Sequence, residues 1–345
     1  MTERTIYCMR CKQDKPVTDV HAWFHDLERV GRCIPCHDDY MKGEYAEKQI
    51  RDAEIARDLA LRIALMEADA HAERTRRLEL IRARCSDPGY RPRALDLFCG
   101  GGLAGRGLVR AGFDVTGVDI SDHAESYPGK FVQSDVFDLD IDRDDYDLIW
   151  ASPPCQSFSD LRTLNAVINP DGYNTAPDLV DATRRRIIGH PITIMENVRM
   201  SPLRSDVILS GPTVGLEHIV RFRKFEISWA FGPYKQLPYK QKHIPVPVYQ
   251  EGRFANFGRY RMERNRVYLR AWIETFGEDS VDWNRMQVKR DVLAYAMGLD
   301  PGDPATSLEI CEGIPPAYAE FLANRARVVM GLAPVGDEPV QIPMM

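Results

Sequence analysis

From about Arg91 onward the chain alternates short apolar runs with helix-like stretches, and this alternation constrains the fold more than any other feature. ALDLFC (94–99), DVTGVDI (114–120), DLIWAS (147–152) and ITIMEN (192–197) each read as strands, and GLAGRGLVRAGF between the first two reads as a helix. Strands interleaved with helices predict an α/β domain with a mostly parallel sheet over residues 91–345. The sequence has no internal repeat and no low-complexity segment.

A chain of 345 residues suits one large domain plus an accessory piece. No apolar run approaches the roughly 18 residues of a membrane span, so no membrane partner is expected. The N-terminal MTERTIYCMRCK lacks the apolar core of a secretory signal. The expectation is a cytoplasmic chain whose eight cysteines are mostly reduced and available for metal or catalysis.

Two of the cysteine pairs have metal-ligand spacing. Cys8-x2-Cys11 is followed after 21 residues by Cys33-x2-Cys36. Two such knuckles can supply four thiolates to one tetrahedral zinc. A forty-residue piece buries too little apolar surface to fold alone, so residues 1–40 read as a zinc ribbon. His21, His25 and His37 lie nearby and read as surface residues.

Residues 41–90 read as one long helix and its end. There is no proline between Lys42 and Asp87, and Ala, Leu, Arg and Glu dominate. Ile55, Leu59, Ile63 and Met66 form a single apolar stripe, and Glu73/Arg77 is an i,i+4 ion pair. The pattern suits a spacer or a coiled-coil arm that pairs two copies of the chain.

The first predicted strand runs into a glycine-rich turn, Gly100 to Gly102, and a helix start. Glycines there allow a sharp turn and close approach of a ligand. Asp119 ends the second strand, where an acid can bind a ribose diol, and Asp135 follows the third, within reach of an adenine edge. No GxxxxGK[ST] segment is present, which disfavours an NTPase. An adenosine ligand without phosphates, such as S-adenosylmethionine, fits best, and NAD comes next.

Cys155 lies in ASPPCQSFSD (151–160), just past a buried-looking strand. Pro153 and Pro154 stop the strand there. The residues alone leave three roles open: packing, metal binding and nucleophilic attack. Cys85, Cys99 and Cys311 read as packing residues. Glu196 and Asn197 end the apolar strand ITIMEN on the same rim. Read alone, that pair is an exposed loop. Read with Cys155, it offers a carboxylic acid that could protonate a heteroaromatic ring nitrogen while a thiolate attacks the ring.

Taken in order, DLFCGGG, the acid at 119, PPCQSFS and MENV resemble the motifs of DNA cytosine-5 methyltransferases, and the separation of 41 positions from Cys155 to Glu196 fits as well. VRFRKFE (220–226) is similar to the family's later arginine motif, and EGIPPAYAEFL (312–322) to the C-terminal motif of short, phage-type members. The resemblance covers about residues 91–330 and implies a Rossmann-like S-adenosylmethionine-dependent methyltransferase sheet. It implies Cys155 as the nucleophile toward cytosine C6, Glu196 on N3 and the exocyclic amine, and Asn197 as the residue that orders the loop. Arg221 and Arg223 would sit near the base. Phe98, Gly100, Gly101, Gly102, Asp119, Ile120, Asp135 and Val136 would line the cofactor site. Double-stranded DNA would be the partner, its target base flipped from the stack.

The net charge is −6, yet residues 234–290 hold twelve Lys or Arg against six acids. The resemblance makes this stretch a small target-recognition region, with RFANFGRYRMERNR (253–266) its best candidate. Some features depart from the family. Asp119 stands where the family often has Glu, the arginine motif lacks its leading Gln, and IPPAY replaces a GNSV-type ending. Action on RNA, transfer of a carboxymethyl group, or an inactive zinc-dependent DNA-binding protein are the competing readings.

Overall fold

The computed structural model describes residues 5–8, 11–16, 29–30, 34–35, 44–140, 142–158, 177–234, 246, 270, 272–282 and 287–336. The chain forms two compact units, Met1–Ala64 and Leu65–Met345.

In the first unit, β1 (Thr5–Cys8) pairs antiparallel with β2 (Gln13–Pro16) and parallel with β3 (Arg29–Val30). The turn joining β1 to β2 contains Cys11 and Lys12, the latter with φ 54°. Residues Glu44–Asp69 then form a helix, and the division between the units falls within it. The long helix expected from the sequence is in fact two, the second being His71–Cys85. The break is one residue, Ala70, whose ψ opens to −4° while backbone hydrogen bonds still run through it. No proline or glycine marks this break. Instead, side chains of the second helix are fixed by tertiary bonds. Arg74 donates to the Ser228 carbonyl, and Arg84 grips Asp147 at 2.6 Å. The expected Glu73–Arg77 pair forms at 2.6 Å. The apolar stripe is used unevenly: Ile63 is buried, whereas Ile55 is 67% exposed.

The second unit contains a seven-stranded sheet among the described residues. Its strands are β4 (Arg93–Leu97), β5 (Asp114–Asp119), β6 (Lys130–Gln133), β7 (Leu148–Ala151), β8 (Thr193–Asn197), β9 (Val207–Leu209) and β10 (Arg223–Ile227). Their order is β6-β5-β4-β7-β8-β10-β9. The first five in that order are parallel, and β10 runs antiparallel to both β8 and β9. Every residue of β7 and β8 is buried, as expected for strands covered on both faces. The helix Leu103–Arg110 follows β4 and packs against the C-terminal helix Pro316–Val329, whose Pro316 carbonyl approaches Gly107 so closely that no Cβ would fit there. The observed sheet agrees with the α/β, Rossmann-like expectation. A short β11–β12 pair (Val281–Asp282 with Gln287–Val288) completes the described strands. No helix among the described residues is long and apolar enough to cross a membrane.

Strand order reverses between β4 and β7. From β4 the sheet grows through β5 on one side and from β7 through β8 on the other. Open α/β sheets bind ligands at the carboxyl ends of strands flanking such a reversal.

Candidate functional site

Cys155, Glu196, Asn197, Arg221 and Arg223 all belong to this rim, and the sheet register explains how they come together. Ala151 pairs with Met195, so the residues that follow each strand leave the sheet at the same edge. Asn197 Nδ2 donates to the Pro153 carbonyl at 2.9 Å, and its Oδ1 accepts from the Val198 N–H at 2.8 Å. Asn197 thus ties the end of β8 to the proline loop that carries Cys155. A short turn, Gln156–Phe158, follows, closed by the Phe158 N–H on the Cys155 carbonyl at 3.0 Å.

The arginines arrive from the opposite direction. Because β10 is antiparallel, its first residue lies at the carboxyl end of β8. Phe225 faces Glu196, which places Arg223 diagonally across from it. Arg223 Nε meets Glu196 Oε1 at 2.8 Å. Arg221, on the approach to β10, donates through Nη1 to the Cys311 carbonyl at 2.7 Å. Ser152 also hydrogen-bonds Glu196 and in turn accepts from Trp150 Nε1 at 2.9 Å.

Glu196 is 6% exposed and Asn197 1%, so the pair is not the exposed loop that the isolated dipeptide suggests. Burial raises the Glu196 carboxyl above its ordinary range, while Arg223 and then Arg221 pull it down. Burial also raises the half-buried Cys155 thiol, Glu196 adds to the rise, and the two arginines oppose it. The resting arrangement therefore favours the thiol over the thiolate. A proton placed on Glu196 removes one of the charges that hold the thiol protonated, so the two groups are suited to exchange roles during a reaction.

The glycine loop is built differently from expectation. Gly100 and Gly102 have φ of 48° and 76°, which glycine tolerates. Gly100 has open space where a Cβ would stand, but a Cβ at Gly101 would meet Glu309 at 2.7 Å, and one at Gly102 would meet Pro128 at 2.5 Å. Two of the three glycines thus admit the protein's own side chains, and only Gly100 leaves room beside the backbone. Phe98 sits at φ 58°, an uncommon conformation for a non-glycine, with its ring edge-on to Phe137 at 6.1 Å. Asp119 accepts from the N–H groups of Gly100 and Ser121, each at 2.9 Å, which leaves lone pairs on both oxygens. Asp135 accepts from the Phe137 N–H at 2.8 Å. Ile120 is 69% exposed beside Asp119, whereas Val136 is buried in an apolar cluster with Leu97 and Val118. Open space at Gly100, an acid at the strand end and an exposed apolar side chain beside it fit an adenosine ligand.

In the N-terminal unit Cys8 is buried and Cys11 half-buried. Cys8 pairs with Val30, so the chain leading to the second knuckle runs alongside the first. Cys33 and Cys36 lie outside the described residues. No group of three or more metal-binding side chains occurs among the described residues. Most of 234–290, including RFANFGRYRMERNR, also lies outside them.

Residues 93–201 match the family model of C-5 cytosine-specific DNA methylases. The matched segment runs from the first residue of β4 past the end of β8, so it holds the glycine loop, Cys155, Glu196 and Asn197. It supports a methyltransferase that uses S-adenosylmethionine. No curated protein sequence matches the chain. Among solved structures, a candidate DNA modification methyltransferase encoded within an E. coli prophage is 17% identical, with 67% of this chain and 97% of that one covered and a TM-score of 0.41. The S. pombe Dnmt2 methyltransferase is 13% identical, with 69% and 99% covered and a TM-score of 0.40. The Entamoeba histolytica methyltransferase EhMeth is 12% identical, with 70% and 99% covered and a TM-score of 0.40.

Several residues around the site escape sequence reasoning. Arg106 is buried and donates to the Gly101 carbonyl at 2.6 Å and the Ser126 carbonyl at 2.8 Å. The Tyr127 ring fills the space opposite Gly102, Gly105 and Gly117, and its hydroxyl donates to the buried Asp96 at 3.1 Å. Burial lifts Asp96 to about 7. The only sequence hint was the number of glycines near the loop, which reads as ligand space until the aromatic ring is located.

Proposed function

We propose that the chain transfers a methyl group from S-adenosylmethionine to C5 of cytosine in double-stranded DNA. The observation that carries this reading is the convergence of Cys155, Glu196 and Arg223 at one sheet edge, the first two inside the segment that matches the cytosine-specific family. Glu196, already shifted toward its protonated form by burial, holds cytosine N3 and gives it a proton. The Cys155 thiol gives up its proton to solvent, its sulfur bonds to C6, and the electron pair displaced from the C5–C6 double bond makes C5 nucleophilic. Gly100, Asp119, Ile120 and Asp135 would hold the cofactor, which would supply the methyl group to C5 and leave as S-adenosylhomocysteine. Loss of the C5 proton to a base then restores the double bond as the C6–S bond breaks and frees Cys155, and N3 returns its proton to Glu196. Asn197 keeps the thiol loop against β8 throughout. The target base leaves the duplex to reach the rim, and the basic stretch 234–290 contacts phosphates and base edges.

Residues 1–40 bind a structural zinc through Cys8, Cys11, Cys33 and Cys36. That zinc is tested by metal analysis of the intact protein and of Cys8→Ser, and equal metal in both would reject it.

Incubation with labelled S-adenosylmethionine and duplex DNA, followed by digestion to nucleosides, tests the main reading. The expected product is labelled 5-methylcytosine, lost in Cys155→Ala. Label in RNA alone, or no label, would overturn it.

A further inference from the structure

The short helix Ser307–Glu312 touches both halves of the proposed site. At its start, Thr306 and Glu309 form a capping box: the Thr306 N–H donates to Glu309 Oε2 at 2.8 Å, and the Glu309 N–H donates to Thr306 Oγ1 at 3.2 Å. The other oxygen, Glu309 Oε1, accepts from Ser126 Oγ at 2.7 Å and lies 2.9 Å from His123 Nδ1. The same side chain lies over Gly101, in the space a Cβ would need. Burial pushes this carboxyl up, but the bonds from Thr306, Ser126 and His123 outweigh it and hold Glu309 down at about 2, so it is ionised at any working pH.

At its end, the helix holds Arg221. The carbonyls of Cys311 and Glu312, at the helix C-terminus, accept from the guanidinium at 2.7 and 3.4 Å. A cation at a helix C-terminus is favourable. Arg221 needs that support, because burial and then the neighbouring Arg223 push it down to about 9. Tyr318 Oη fixes the Arg221 carbonyl at 2.6 Å. A second tie anchors the segment leading into the helix: Arg106 joins the Gly101 carbonyl to Asp303, with Nη2 2.9 Å from Asp303 Oδ1.

We propose that Glu309 is a positioning residue that locks the cofactor loop to Arg221, so that ordering of the loop by cofactor sets the arginine pair beside Cys155 and Glu196. The proposal rests on the methyltransferase reading above. Glu309 itself reaches neither the thiol nor the base. Its effect passes along three residues of helix to the Cys311 carbonyl, then through Arg221 to the field at the thiol.

The test uses the full-length protein with S-adenosylmethionine as probe. Three forms are compared: wild type, Glu309→Gln, and the double variant His123→Phe/Ser126→Ala, which removes the bonds to Glu309 from the segment after β5, itself tied to Gly101 through Arg106, and leaves the capping box intact. Cofactor affinity is measured by calorimetry without DNA. Single-turnover methyl transfer at saturating cofactor is measured against pH. Both variants are expected to bind cofactor about tenfold more weakly, from loss of bonds to a charged acceptor. In both, the ascending limb of the pH–rate profile moves to higher pH, because Arg221 no longer draws the thiol down. Weaker binding with an unmoved limb would overturn the coupling, as would unchanged behaviour of the double variant in both measurements. A wild-type protein that binds cofactor but transfers no methyl group would instead sink the underlying reading, and the inference with it.

Discussion

Adjacent strands of the sheet carry two buried carboxylates at opposite ends, and their surroundings differ in kind. Asp147 precedes β7 at its amino end and is fully buried. It accepts four hydrogen bonds: two from Arg84, at 3.2 and 2.6 Å, one from the Tyr90 hydroxyl at 2.7 Å and one from the Arg93 N–H at 2.8 Å. Glu196 ends β8 at the carboxyl rim and is almost as buried, yet among the described residues its donors are Arg223 and Ser152. A carboxylate surrounded by donors is held in place. One left partly supplied, beside a thiol, retains an affinity for protons. The amino end of the sheet thus spends its charges on holding the second helix, and the carboxyl end leaves them available for chemistry.

Substitution at the rim gives the largest expected effect. Glu196→Gln keeps size and polarity but cannot deliver a proton to a ring nitrogen, so methyl transfer should fall about a hundredfold or more. Thermal stability should move far less than for a change at Asp147. Retained activity would reduce Glu196 to a mere partner of Arg223. At the other end, Asp147→Ala strands Arg84 and should cost about 3–5 kcal/mol in denaturant unfolding, while turnover per folded molecule stays near wild type. If that turnover collapses with stability intact, the contrast between the two ends is wrong.

Arg223→Ala probes the same contrast more finely. The guanidinium lowers both the Glu196 carboxyl and the Cys155 thiol. Without it both groups rise, and the ascending limb of the pH–rate profile should shift to higher pH. A drop in rate at every pH with no displacement of the limb would mean that Arg223 acts only by holding shape.

How much of this could be read from sequence follows from the range of the interactions. The strands beginning at Arg93, Asp114, Leu148 and Thr193 are legible because alternation of apolar runs is a local signal, and the observed bounds differ from the expected ones by a residue or two. Cys155 and Glu196 are legible as a pair because parallel strands deliver their carboxyl ends to one edge. The part played by Glu309 is not. It depends on contact with Gly101 across 208 positions of chain, and nothing near SLEICE signals it. The break at Ala70 is hidden for the same reason: residues 66–74 contain no proline or glycine, and the tertiary bonds of the second helix lie elsewhere in the sequence.

The smallest expected effect concerns His190, also at the amino end, where the chain enters β8. Its Nε2 lies 3.0 Å from the Tyr146 carbonyl, next to Asp147, and its Nδ1 is 3.2 Å from the Ile192 N–H. The ring is buried, and desolvation lowers its pKa to about 4. The unfolded chain, with an ordinary histidine near 6.5, therefore binds more protons than the folded one between these values. The contribution of the neutral ring is fully present above about pH 6.5 and is lost as pH falls toward 4. Between pH 7 and pH 5.5 that amounts to about 1 kcal/mol. Urea unfolding at the two pH values, for wild type and His190→Gln, isolates the term: the variant should show a pH dependence weaker by that amount. The charges at the amino end would then be set for structure alone, since its histidine stays neutral where an exposed one titrates. Equal slopes in the two proteins would mean that the ring accepts its proton without cost, and that this end of the sheet is as open to proton exchange as the rim that carries Glu196.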